Sequence, residues 1–321
     1  GDISYRCLGN DQYEITVNVY RDCFYGEEDA QFDDPASVGI FNGRNNLLLQ
    51  ELQIPFVEDD TLEAVFFDDC LFVPSDVCVH TTTYRDTVEL FPNNDGYRIV
   101  YQRCCRNQTI KNITEPDLTG ATYEIMLTRR AMVRCNSSPR FREWPPIFIC
   151  VNKPIFYNHS AFDADGDSLV YRLCTPLAGA TRDMPQPQPP NPPPYDEVNW
   201  VAPTYGVDNI LGAGRELTIN PETGFIVGRP SLQGQFVVGV CVEEYRNGEL
   251  LSVTRRDFQY NVGMCRETVA EVSAPNVQCD NLTVNFESLS QDFDELVWNF
   301  DFPTTDTAFI TNEENPTFTY P

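Results

Sequence analysis

The sequence predicts an all-β protein built as tandem β-sandwich domains braced by disulfides. Three observations carry that expectation. Apolar and polar residues alternate in short runs along the whole chain, and clusters of Gly, Asn, Asp and Pro separate those runs. No segment sustains a helical period over three turns. Twelve cysteines are spread over the 321 residues and supply the bracing.

Taken in order, Tyr13, Ile15, Val17 and Val19 share one strand face, with Glu14, Thr16 and Asn18 on the other. Residues 3–8 precede them across Gly9, Asn10 and Asp11, which predicts a hairpin. Alternation at Tyr97, Ile99 and Tyr101, and at Tyr123, Ile125 and Leu127, continues a first domain assigned to residues 1–137. Residues 136–146 then read Asn-Ser-Ser-Pro-Arg-Phe-Arg-Glu-Trp-Pro-Pro, a connector with little capacity for strand pairing.

The second domain, 138–265, contains a strand through Leu169, Tyr171 and Leu173. Its proline-rich segment, 184–194, is short of amide donors and is expected as an extended polyproline II loop packed on its own domain. Residues 217–228 form a hairpin around Pro221-Glu222-Thr223-Gly224. Phe236, Val238, Val240 and Val242 alternate next, then Phe258, Tyr260 and Val262. Residues 266–321 begin a third, shorter module with Val284 and Phe286, then Trp298, Phe300 and Phe302. A strand at its end is expected to leave an unpaired edge, to be covered by further chain or by another molecule.

Lys and Arg number 22 against 48 Asp and Glu, a net charge of −26. Such a surface repels phosphate backbones and anionic membranes, so nucleic acid is not an expected partner. No apolar run reaches the ~18 residues of a membrane span. The opening at Gly1-Asp2-Ile3, already strand-like, reads as a processed or trimmed chain.

The cysteines are even in number and lack paired C-x-x-C spacing, and only His80 and His159 are available to join them at a metal. Disulfides in an oxidising, extracellular compartment are the expectation. Cys70 and Cys78 bracket a short loop and are candidates to close on each other. Cys104 and Cys105 are adjacent, would face opposite ways in a strand, and are expected to bond to different partners. Cys174 and Cys241 are candidates for a bond within the second domain, and Cys265 and Cys279 are further disulfide candidates.

Residues 161–171 carry the densest chemistry. Asp163, Asp165 and Asp167 alternate around Gly166, directly before an apolar-alternating run. Carboxylates at that density repel one another unless a hard cation lies between them, and Ca²⁺ is the usual one outside the cell. An EF-hand loop requires Gly at its sixth position and Glu at its twelfth; here Gly166 is fourth and Cys174 twelfth. The alternative is an acidic turn that opens a strand without metal. Extracellular sites of this sort bind calcium at roughly 10⁻⁴–10⁻³ M. No nucleophile elbow, zincin helix motif or phosphate-binding glycine loop occurs, and the chain is not expected to be an enzyme. His159-Ser160 near Asp163 invites a Ser-His-Asp reading, but His159 is expected to pack. N-glycosylation sequons stand at Asn107, Asn112, Asn136, Asn158 and Asn281.

Several runs carry a family resemblance. Residues 1–23 open Gly-Asp-Ile-Ser-Tyr-Arg-Cys-Leu-Gly-Asn and end Tyr-Arg-Asp-Cys, and 96–112 contain Tyr-Gln-Arg-Cys-Cys-Arg-Asn. With 145–150, the proline segment through Trp200, and 234–257, they resemble the N-terminal region of large Bacteroidota surface proteins. Those proteins carry PKD-type modules and are exported by the type IX system. Residues 158–262 resemble cadherin-like or Ig-like modules, through Asp-x-Asp-Gly-Asp-x-Leu-x-Tyr, Leu-Thr-Ile-Asn-Pro-Glu-Thr-Gly and Gly-x-Phe-x-Val. Residues 266–321 resemble the start of a PKD-like module, incomplete here, through Trp298-Asn299-Phe300 and Asn-Pro-Thr-Phe-Thr-Tyr. Asp301-Phe302 stands where that module usually has Gly-Asp.

The resemblance implies export by a bacterium, display outside the cell, and a structural or adhesive role in a larger adhesin or filamentous appendage. Surface glycans, other surface proteins, or further copies in an oligomer or filament are the implied partners. It also adds Glu243 or Glu244 to the calcium ligands, giving the set Asp163, Asp165, Asp167 and Glu244. The alternative reading is the carbohydrate-binding region of a larger secreted enzyme, with Trp144, Trp200 and Trp298 as candidate stacking platforms.

Overall fold

The computed structural model describes residues 1–26, 30–62, 71–72, 77–212, 217–267, 269–275, 282–291, 293–303 and 305–321. It forms two compact units, Gly1–Val65 with Pro74–Met264, and Phe66–Val73 with Cys265–Pro321.

Alternation becomes strand throughout the first unit. In chain order these are β1 (Asp2–Gly9), β2 (Gln12–Asp22), β3 (Ala36–Asn42), β4 (Leu48–Ile54), β5 (Asp59–Thr61), β6 (Val79–Glu89), β7 (Tyr97–Arg103) and β8 (Ala121–Leu127). A five-residue helix, α1 (Arg129–Val133), follows and is capped by Thr128, whose hydroxyl accepts from the Ala131 amide at 3.1 Å. Then come β9 (Ile155–Asn158), β10 (Ser168–Leu173), β11 (Thr218–Ile219), β12 (Phe225–Gly228), β13 (Gly234–Arg246) and β14 (Glu249–Gly263).

One long sheet runs β10-β13-β14-β1-β2-β6-β5, and Phe148–Cys150 lies parallel against β14. A second sheet, β4-β3-β7-β8, packs on the β1-β2-β6 part of it. Ile3, Tyr5, Ile15 and Val17 meet Val38, Ile40, Ile99 and Ile125 there. A third sheet, β9-β12-β11, packs on the β13-β14 part. Phe236, Val238, Val240, Phe258 and Tyr260 meet Ile155, Tyr157 and Ile226 in that core. Each of these buried side chains contributes roughly 1.5–3 kcal/mol of burial. Two sandwiches therefore share one sheet.

The boundary expected at residue 137 falls inside this unit. β1 pairs antiparallel with β14, Asp2 opposite Arg256, and Arg256 Nε donates to the Asp2 carboxylate at 2.7 Å. Residues 136–139 of the polar connector are buried, because their groups complete the backbone of β1, whereas residues 142–144 are exposed. Ser138 Oγ accepts from the Tyr5 amide at 2.9 Å, and the Ser138 amide donates to the Tyr5 carbonyl at 3.0 Å. Composition gives such a segment little capacity for strand pairing, yet Arg140–Phe141 within it pairs antiparallel with Ala161–Phe162, and composition does not show that its hydroxyls can substitute for a partner strand.

The hairpin at Pro221–Gly224 turns as expected. Asn220 Oδ1 accepts from the Glu222 and Thr223 amides, and Gly224 sits at φ 74°. A Cβ there would lie 3.0 Å from Ser160 Cα and from the Tyr171 ring. The proline segment packs on its own unit, with Pro187, Pro190 and Pro193 buried at every third residue. The Cys104 amide donates to the Pro185 carbonyl at 2.9 Å, and the Asn191 amide donates to Gln102 Oε1 at 2.9 Å.

Cys174–Cys241 forms, and Cys7–Cys135 joins β1 to the residues after α1. Two expected pairings are corrected. Cys78 bonds to Cys23, not Cys70. The β2–β6 register ends at Asp22 opposite Val79, so the next pair along the ladder is Cys23 with Cys78. Cys104 and Cys105 bond to each other, because β7 ends at Arg103 and the strand alternation no longer applies to them. Cys150 and Cys265 are also disulfide-bonded, while Cys70 and Cys279 lie outside the described residues. Of the sequons, Asn112 and Asn136 are fully buried and closed to a glycan, and Asn281 lies outside the described residues.

The second unit is built from two-stranded pairs. Val272–Ser273 pairs with Glu287–Ser288, Thr283–Asn285 with Thr317–Thr319, and Trp298–Asn299 with Ile310–Thr311. The terminal strand, Thr317–Thr319, is thus paired on one side within the unit. Phe300 stacks on Phe318 at 4.3 Å, with Phe286, Trp298, Phe309 and Tyr320 around them.

Cys7 and Cys135 are separated by 128 residues and Cys104 and Cys105 by one, so only the first pair closes a long loop in the unfolded chain. Replacing both Cys7 and Cys135 by Ser is expected to lower unfolding free energy by about 2–5 kcal/mol. The double replacement at Cys104 and Cys105 should cost far less. Denaturant titration of the two variants against the parent measures both.

Candidate cation site

Local backbone geometry gathers the aspartates. Asp163 Oδ1 accepts from the amides of Asp165 at 3.0 Å and Asp167 at 2.7 Å, closing the loop around Gly166 at φ 79°. β10 begins at the next residue and pairs antiparallel with β13, Leu169 opposite Glu244. That register delivers a fourth carboxylate. One ligand oxygen from each of Asp163, Asp165, Asp167 and Glu244 lies within 4.8 Å of the others. Glu243 points elsewhere and accepts from Arg172 Nε at 2.9 Å, because neighbours on a strand face opposite ways.

The connector closes over this cluster. The Ser137 amide donates to Asp165 Oδ2 at 2.7 Å, and Asn136 Nδ2 donates to Glu244 Oε1 at 2.7 Å. The Ser252 hydroxyl donates to the other Glu244 oxygen. Arg246 was not expected from the sequence. Its Nε donates to Asp167 Oδ1 at 2.6 Å, its Nη2 donates to Asp167 Oδ2, and Nη2 also reaches Asn136 Oδ1 at 2.7 Å. Only the β13 register brings it here, so no local signal in the chain announces it.

The charges respond to this packing. Burial, with the neighbouring Asp167 and Asp163 carboxylates adding to it, pushes Glu244 up to about 8. Burial works against the charged form of Asp167 as well, but the Arg246 guanidinium holds it below the usual carboxylate range. A proton on Glu244 and the arginine thus relieve part of the repulsion. Asp163 Oδ2 remains out of water with no hydrogen-bond partner. An all-oxygen donor set with one orphaned carboxylate oxygen fits a hard divalent cation such as Ca²⁺. Arg246 is the competing charge.

His159 does not join a catalytic set. It is 2% exposed, and its ring lies against Phe141, Tyr157 and Phe258 with centroids 4.9, 5.7 and 5.2 Å away. Neither ring nitrogen has a hydrogen-bond partner. A second cluster, Cys23, Cys78 and His80, has ligand spacing, but both sulfurs are committed to a disulfide. The tryptophans pack: Trp144 edge-on to Tyr20 at 5.5 Å, Trp200 through Nε1 to Thr175 Oγ1 at 3.3 Å, and Trp298 against Phe286 at 5.7 Å.

No family model and no curated protein matches the chain. Among solved structures, Drosophila OTK, extracellular domains 3-5, aligns over 89% of this chain and 74% of that one, at 9% identity and a TM-score of 0.19. So low a score carries no argument. The disulfides and the all-β architecture fit a secreted, extracellular protein. Among the described residues no helix is long and apolar enough to cross a membrane.

Burial, with the Arg256 charge adding to it, holds His159 well below its ordinary value of 6.5. Below that pH the unfolded chain takes up a proton that the folded chain refuses. Stability is therefore fully present above about pH 6.5 and is lost on acidification, by about 1.4 kcal/mol per pH unit until the folded pKa is reached. Unfolding free energies of the parent and of His159→Phe, measured from pH 8 to 5, are expected to run in parallel above about 6.5 and to diverge below it.

Proposed function

We propose that the chain is a structural and adhesive part of a bacterial cell-surface protein of the type IX-exported kind, stiffened by Ca²⁺ at Asp163, Asp165, Asp167 and Glu244. The observation behind this reading is where the cluster sits. The loop before β10 is tied through Asp165 to Ser137, and β13 is tied through Glu244 to Asn136. Those connector residues follow Cys135, itself bonded to Cys7 on β1. A cation held by the carboxylates would fasten the second sandwich to the segment leaving the first. Its contribution is charge neutralisation and rigidity, with no reaction implied. Surface glycans, other surface proteins or further copies of the chain are the partners such a role requires.

Calcium should raise the melting temperature, and chelator should reverse the rise. At ten times the dissociation constant, linkage supplies about 1.4 kcal/mol, or roughly 3–6 °C. Asp165→Ala should abolish the shift. Arg246→Gln should enlarge it while lowering stability without calcium, since it removes the competing charge. A melting curve indifferent to both calcium and chelator rules out the brace.

The adhesive part is tested separately by coating beads with the chain and measuring their retention under flow on glycan-coated and bacterial surfaces. Retention above that of beads carrying an equally acidic control protein is expected, and retention equal to that control overturns the role.

A further inference from the structure

A cleft of about 660 Å³ opens in the first unit, away from the acidic cluster, and none of the four carboxylates lines it. Its walls are residues 19–22 at the end of β2, residues 103–108 after β7, residues 185–186 of the proline segment, and residues 257–259 and 261 on β14. The volume lies within the ~300–1,000 Å³ typical of small-ligand sites.

The charges on these walls are already met. Arg106 grips Asp257 with both terminal nitrogens, Nη1 to Oδ1 at 2.9 Å. Arg103 pairs with Asp33 at 3.0 Å, and Arg182 lies 3.8 Å from Asp117 across the rim. Arg21 Nε donates to the Ala30 carbonyl at 2.7 Å. Asp22 Oδ2 accepts from the side-chain amides of Asn107 at 2.7 Å, Gln235 at 3.0 Å and Gln259 at 3.3 Å. Among the described residues, each of these charged groups is thus engaged by a counter-charge, by side-chain amides or by a carbonyl.

Polar atoms, by contrast, are left over. Tyr20 Oη is out of water without a hydrogen-bond partner, as is Nε of the Arg106 guanidinium, whose side chain is only 8% exposed. A buried donor left unmet costs about 1–3 kcal/mol. At the rim the exposed amides of Gln108 and Gln186 make no hydrogen bond among the described residues. The Cys104–Cys105 disulfide lines the wall, and the Tyr25 ring, edge-on to Phe24 at 4.9 Å, lines the opening. An apolar ligand would leave the rim amides unmet, and a charged one would find no free counter-charge among the described residues.

We infer that the cleft binds a short neutral saccharide. The C–H faces of its rings would lie on the Cys104–Cys105 disulfide and Tyr25, and its hydroxyls would meet the Gln108 and Gln186 amides. This gives the adhesive reading a ligand class. It rests on that reading only for the setting outside the cell, since its residues are distinct from the calcium cluster.

The test is saturation-transfer NMR, followed by calorimetry, with uncharged mono-, di- and trisaccharides of glucose, galactose, mannose and N-acetylglucosamine. At least one is expected to bind the full chain with a Kd of about 1 mM or tighter. Combined Gln108→Ala and Gln186→Ala, both at exposed positions, should weaken it at least about tenfold, as should Tyr25→Ala, with melting temperatures unchanged. Asp165→Ala and chelator should leave the Kd within about twofold, so that failure of the calcium brace and failure of the cleft read out separately. No saturation transfer from any of these sugars, binding that survives the rim variants, or binding only of sulfated or phosphorylated sugars would each overturn the inference.

Discussion

Antiparallel pairing of β1 with β14, held by Asp2 and Arg256, is the constraint on which the first unit depends. Both side chains are buried, and Arg256 also donates to the Glu143 carbonyl at 2.7 Å and lies 4.0 Å over the Phe141 ring. A buried ion pair contributes little net stability, but stranding either partner costs about 3–5 kcal/mol. Any other register between these strands would strand both. The next residue of β14, Asp257, faces the opposite side and is matched there by Arg106. One ladder thus aligns an ion pair on each face of the sheet. It merges two sandwiches and supplies the β14 wall of the cleft.

The acidic cluster is a consequence of the same sheet. Four carboxylates converge because the Asp163 loop and the β10–β13 register place them together, and the fold must then neutralise them. Two means are built in. Arg246 holds Asp167, and burial keeps a proton on Glu244. Asp163 Oδ2 is served by neither. A divalent cation would complete what they leave undone, yet it would have to compete with the arginine, which argues for the weak affinity common to extracellular calcium modules. The link to Ser137 and Asn136 makes that competition consequential, because the connector is fastened to the same groups.

Much of this was legible in the chain. Alternation located the faces of β2, β7, β8, β13 and β14, and the Pro-Glu-Thr-Gly turn located the β11–β12 hairpin. The spacing of Asp163, Asp165 and Asp167 around Gly166 identified the candidate site, and resemblance added Glu244. Cys174 and Cys241, named as candidates for a bond, are bonded.

What the chain alone determined about this protein is its β class, a buried face on those strands whose alternation is clear, and the turn that gathers the aspartates. These follow from a period of two and from hydrogen bonds spanning a few residues. Tertiary structure alone decided which strands are neighbours. It turned two expected domains into sandwiches sharing a sheet, sent Cys78 to Cys23, left Cys104 and Cys105 beyond the end of β7 to bond together, and set Arg246 against Asp167. The physical reason is common to all four. Alternation specifies the side on which a residue lies but carries nothing about the strand beside it, and that choice belongs to the closure of the whole sheet.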